Sequence, residues 1–85
     1  MLRLGGCWSP IDPQSPCRSR DVFDGDVLVA RIVDTTAEIY LTNAPRVRIY
    51  EADLLHAQVW EPGHERFTDE ASALRSIEER LKSQR

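Results

Sequence analysis

The longest uninterrupted apolar run in the chain is four residues, Val27 to Ala30, whereas a bilayer-spanning helix needs roughly 20. No membrane partner is therefore expected. The opening residues Met1-Leu2-Arg3-Leu4-Gly5-Gly6 have no apolar core of the kind a secretion signal uses, so the expectation is a cytoplasmic protein. Positive charge is also scarce: 11 Lys and Arg stand against 14 Asp and Glu, a net charge of −3. Phosphate neutralisation needs the opposite balance, which disfavours nucleic acid as a partner and leaves room only for a local basic patch. The motifs that announce common chemistries are missing too, with no GxSxG elbow, Walker loop or dinucleotide fingerprint. The expectation is a protein that is not an enzyme and carries no cofactor.

Length sets a further limit. A chain of 85 residues makes one domain and buries only about 60% of the surface its unfolded form exposes, which argues against a large enclosed active site. Its 41% hydrophobic and 29% charged residues are ordinary globular values and exclude wholesale disorder. Pro10, Pro13 and Pro16 remove backbone donors and restrict the residues before them. Residues 1–20 therefore read as a Pro-rich irregular arm ahead of a single small α+β domain over residues 21–85. The arm carries Cys7 and Cys17, close enough to form a disulfide and expected as thiols in a reducing compartment.

Within the domain, Val27 to Val33 is rich in β-branched residues and ends at Asp34-Thr35, where a turn fits. Ala37 to Thr42 and Arg46 to Tyr50 follow as two more extended runs, separated by Asn43-Ala44-Pro45. Two-residue parity then sorts the side chains into two faces. One gathers Leu28, Ala30, Ile32, Ala37, Ile39, Leu41, Val47 and Ile49. The other gathers Val29, Arg31, Val33, Glu38, Tyr40, Arg48 and Tyr50, with Arg31 opposite Glu38. Leu54 to Trp60 reads as a fourth strand that places Leu55, Ala57 and Val59 on the first face and Trp60 on the second, with a helical start as the alternative.

From Thr68 onward the period changes. Thr68 or Asp69 can cap a helix, and Ala71, Leu74, Ile77 and Leu81, with Ala73 alongside, form an apolar stripe at helical spacing. The expected fold is thus α+β: a three- or four-stranded antiparallel meander with a C-terminal amphipathic helix packed on one face.

The second face is the expected site of action. Val29, Arg31, Tyr40, Arg48, Tyr50 and Trp60 interleave arginine with aromatic and apolar residues, the composition of protein interface cores. The expected function is a non-catalytic protein–protein interaction or regulatory module that uses this face or self-associates as a homodimer. A small RNA-binding module using the same Tyr and Arg residues is the alternative, against which Glu38 and the net charge weigh. A third reading is a small metal-binding or nuclease-like protein using His56 and His64, with Glu61, Glu65 and the two cysteines as further donors. Their spacing matches no zinc pattern, so no metal site is expected. Asp21, Asp24 and Asp26 lack calcium-loop spacing and read as a solvated lead-in to the first strand.

Overall fold

A computed structural model describes residues 2–36, 48–63 and 65–83. Its elements in chain order are β1 (Leu2–Leu4), β2 (Ser9–Pro10), β3 (Arg18–Asp24), β4 (Val27–Asp34), β5 (Tyr50–His56), β6 (Val59–Glu61) and α1 (Glu70–Ser83). The strands form one sheet in the order β1-β3-β4-β5-β6, with β2 also pairing β3. Every described pairing is antiparallel. A C-terminal helix packs against this sheet, so the α+β class with that helix on one face holds. Among the described residues no helix is long and apolar enough to cross a membrane.

β4 is the middle strand of this order, with β3 on one edge and β5 on the other. β3 reaches it through the two-residue loop Gly25-Asp26, where Gly25 takes φ 63°. A left-handed first position is what a tight hairpin with the sheet's own twist requires, and glycine adopts it without strain. On its other edge β4 pairs with β5, setting Ala30 opposite Leu54, Ile32 opposite Ala52 and Asp34 opposite Tyr50. β5 thus takes the β4 edge expected for residues 37–42, and Arg31 faces Asp21 and Asp53. The expected strand over 37–42, with Tyr40, lies outside the described residues.

The segment expected to be an irregular arm contributes edge strands. β1 pairs with the second half of β3 and β2 with its first half, Ser9 opposite Ser19 and Pro10 opposite Arg18. Proline is admissible there because an edge residue does not need its N–H for a second neighbour.

The parity of β4 holds for Ala30 and Ile32, which are fully buried, but it breaks toward the strand's start. A bulge lets Val22 pair with Ala30 and Phe23 with Leu28, leaving Val29 as the extra residue. Leu28 thereby shares a face with Phe23, and Val29 packs against the core instead of joining the second face.

The fourth strand also needs correction. The run 54–60 is broken by a tight turn at Ala57-Gln58, both with positive φ (46° and 66°), so β5 returns as β6. Leu54 is the residue that faces the helix, 1% exposed, while Leu55 and its partner Trp60 lie on the opposite face.

The first face and α1 make the core. Val22, Ala30, Ile32, Ala52 and Leu54 meet Ala73 and Ile77, with Leu74, Leu81, Phe67, Tyr50 and Trp8 packed around them. Each large apolar side chain buried here contributes roughly 1.5–3 kcal/mol. Ala71, expected on the stripe, is exposed, and Ala73 takes the central place.

Three polar devices hold the helix in register. Asp69 is the cap, its Oδ1 accepting from the Ser72 backbone N–H at 2.7 Å and its Oδ2 from the Ser72 hydroxyl at 3.1 Å. Those two bonds hold the Asp69 carboxyl below its ordinary range. Arg20 donates to the Gly5 carbonyl at 2.6 Å and reaches Glu70 in the first helical turn at 3.4 Å. At the other end the Arg80 guanidinium donates to the Ala52 carbonyl at 2.8 Å. Between β6 and α1, Phe67 exchanges two backbone hydrogen bonds with Tyr50, each 2.8 Å, occupying the β5 edge that β6 is too short to cover.

Candidate interaction site

The face turned away from α1 is organised around Arg31. Arg31 and Asp53 are directly opposite on β4 and β5, and the Arg31 Nε donates to Asp53 Oδ2 at 2.9 Å. Trp60 reaches the same guanidinium from the next strand over. It sits opposite Leu55, two residues beyond Asp53, and its ring lies 4.2 Å from the Arg31 guanidinium carbon. Carboxylate and indole together leave the Arg31 side chain 18% exposed and that of Asp53 10%. An arginine held on an aromatic face while hydrogen-bonded to a carboxylate has little rotamer freedom left, so it can contact a partner with little further entropic cost.

A second unit of the same kind stands toward the β1 edge. Arg3 and Phe23 are cross-strand partners, with the Arg3 guanidinium carbon 4.6 Å from the ring centre. Leu28, opposite Phe23, and half-buried Leu55 place apolar surface beside the two units. Asp21, opposite Arg31, is exposed. Both signs of charge thus alternate with aromatic and aliphatic groups along one side of the sheet.

The residues expected to share a surface are divided. Arg31 and Trp60 are brought together as expected. Val29 is taken into the core by the bulge, and Tyr40 lies outside the described residues. Tyr50 has the parity of Ala52 and Leu54 and packs on the helix side, stacked on Trp8 at 5.9 Å between ring centres with 25° between planes. Burial, then the carboxylates of Asp34 and Glu70, raise its phenol pKa above the ordinary value. Arg48 is 68% exposed along its side chain and pairs with Asp34 at 3.2 Å.

Asp53, Phe23 and Arg3 join the face without having been expected there. Asp53 falls between the runs Arg46 to Tyr50 and Leu54 to Trp60, and only its pairing with Arg31 across β4 and β5 reveals its place.

The metal reading gains no geometry. His56 Nε2 lies 2.9 Å from Glu61 Oε2 across the β5–β6 hairpin, and His64 lies outside the described residues. Among the described residues no group of three or more His, Cys, Asp or Glu is placed to hold a metal ion. Cys7 is exposed and Cys17 buried, both unbridged. Comparison of the chain with protein-family models, curated proteins and solved structures gave no match.

Proposed function

We propose that the protein is a non-catalytic interaction module that works through the sheet face opposite α1, and that its first partner on that face is a second copy of itself. The observation that carries this reading is the Arg31 centre: a guanidinium fixed by Asp53 at 2.9 Å and by the Trp60 ring at 4.2 Å, on the face the helix does not cover. Arginine and tryptophan are the residue types that dominate interface energetics. Self-association is favoured by the mixture of signs. A two-fold interface must be complementary to itself, and a patch carrying Arg3 and Arg31 beside Asp21 and Asp53 can place opposite charges across such an axis. A domain this small also gains by covering apolar surface with a partner.

Sedimentation equilibrium tests the proposal. The wild-type mass should rise with concentration toward twice the monomer's 9.7 kDa. Trp60→Glu, or Leu55→Glu as an independent second variant, should hold the mass at the monomer value while circular dichroism shows the fold intact. A wild-type protein that stays monomeric, or a dimer indifferent to both substitutions, would overturn it.

A further inference from the structure

The helix side of the sheet ends in a cleft of about 540 Å³ whose lining includes Trp8, Arg18, Asp34, Thr36, Arg48 and Tyr50. We infer that this cleft is a binding site for a small ring-bearing phosphate monoester, a class to which nucleoside monophosphates belong. The volume lies within the range of about 300–1,000 Å³ usual for small-molecule sites. The chemistry follows from what each lining group has left to offer.

Register builds the floor. Arg18, Asp34 and Tyr50 stand in one row across β3, β4 and β5, with about 4.8 Å between neighbouring strands. Trp8, just ahead of β2, stacks on Tyr50 and forms an aromatic wall. Two rings held against each other and only half-buried leave π surface for a third planar ring.

Both carboxylate oxygens of Asp34 are engaged, and Arg48 offsets its charge. Its Oδ1 accepts from the Thr36 backbone N–H at 3.0 Å and from the Thr36 hydroxyl at 2.6 Å, and its Oδ2 from Arg48 at 3.2 Å. Thr36 is engaged in turn, its Oγ1 accepting from the Ile49 N–H at 2.9 Å. The arginines are not used up. Arg48 gives one N–H to Asp34, and Arg18, though directly opposite Asp34, makes no ion pair with any described residue. Two guanidiniums with most of their N–H groups free, beside one ion-paired carboxylate, leave a net positive charge and suit an anion with several acceptor oxygens, which phosphate is and a single carboxylate is not. The phenol of Tyr50 keeps its proton and can donate as well.

Isothermal titration with three probes separates the contributions. Adenosine monophosphate should bind with a dissociation constant below millimolar. Adenosine, which keeps the ring and lacks the charge, and inorganic phosphate, which has the charge and lacks the ring, should each bind about tenfold more weakly or worse. Arg18→Gln alters an exposed side chain with no described partner, so the fold should be kept while affinity for the monophosphate falls about tenfold. The inference is overturned if the monophosphate fails to bind at millimolar concentration, if inorganic phosphate binds equally well, or if Arg18→Gln leaves its affinity unchanged. Trp8→Leu supplies a second reading. Loss of the monophosphate's advantage over phosphate supports stacking on the aromatic wall, and retention of that advantage contradicts it.

Discussion

Leu54→Ala should destabilise the domain by about 2–5 kcal/mol, while Leu55→Ala, one residue away, should cost about 1 kcal/mol or less. Leu54 is 1% exposed and belongs to the cluster with Ile32, Ala73 and Ile77, so shortening it opens a cavity between sheet and helix. Leu55 points to the other side and is only half-buried. For a domain of this size each kcal/mol moves the thermal midpoint by about 4–8 °C. The Leu54 variant should therefore melt roughly ten degrees or more below the wild type, and the Leu55 variant close to it. Equal losses, or a larger loss for Leu55, would mean that the β5 register is shifted by one residue.

Gly63→Ala should be the most damaging glycine substitution in the chain. A methyl group built on Gly63 would overlap the Ala52 carbonyl oxygen and stand 3.0 Å from the Arg80 Nη1 that hydrogen-bonds to that same oxygen. The obstruction on one side is strand backbone, which cannot swing aside as a side-chain end can. Relief therefore requires the Pro62-Gly63 segment to move off β5 and weakens the bond that ties the helix end to the sheet. A cost of about 1–3 kcal/mol is expected. Gly6→Ala is the control: nothing lies within 4 Å of a Cβ built there, and its midpoint should stay within experimental scatter of the wild type. Paired thermal melts decide the matter, and a neutral Gly63→Ala would show that the β6–α1 connection does not pack as described.

What the sequence reveals of this fold depends on how strongly each element's pattern is tied to burial. α1 is legible because Leu74, Ile77 and Leu81 recur at helical spacing behind a capping Asp69. Ala30 and Ile32 are legible because a strand under a helix must alternate. β3 is hidden: Arg-Ser-Arg-Asp-Val-Phe-Asp has two apolar residues in seven, and it is a strand because β1, β2 and β4 occupy its edges. That is a tertiary fact that local propensity does not carry. The β5–β6 turn is hidden for a different reason. Ala57 and Gln58 both take left-handed backbone angles, a conformation that costs side-chain-bearing residues about 1–2 kcal/mol each and is usually signalled by Asn or Gly. With that signal missing, the chain reads as one uninterrupted strand, which sets Leu55 and Trp60 on different faces when they are cross-strand partners on the same one.

The candidate site was legible to the same degree. Arg31 and Trp60 can be placed on one face from parity and composition. The bulge that removes Val29 and the β5 register that carries Tyr50 to the helix side are invisible to a two-residue period. Asp53 becomes meaningful only once β5 lies beside β4, because its role is to hold Arg31 at 2.9 Å. Two candidate surfaces stand where composition suggests one: an arginine-centred face opposite the helix, and an aromatic cleft at the end of the helix side.

The proposal that the face opposite α1 is the contact surface is tested most directly by amide and side-chain NMR over a dilution series of the intact chain. Concentration-dependent shifts are expected at the Trp60 indole N–H, the Arg31 Nε–H and the Leu55 amide, with the exposed helix residues Arg75 and Glu78 unmoved. Shifts confined to α1, or no change across the series, would contradict it.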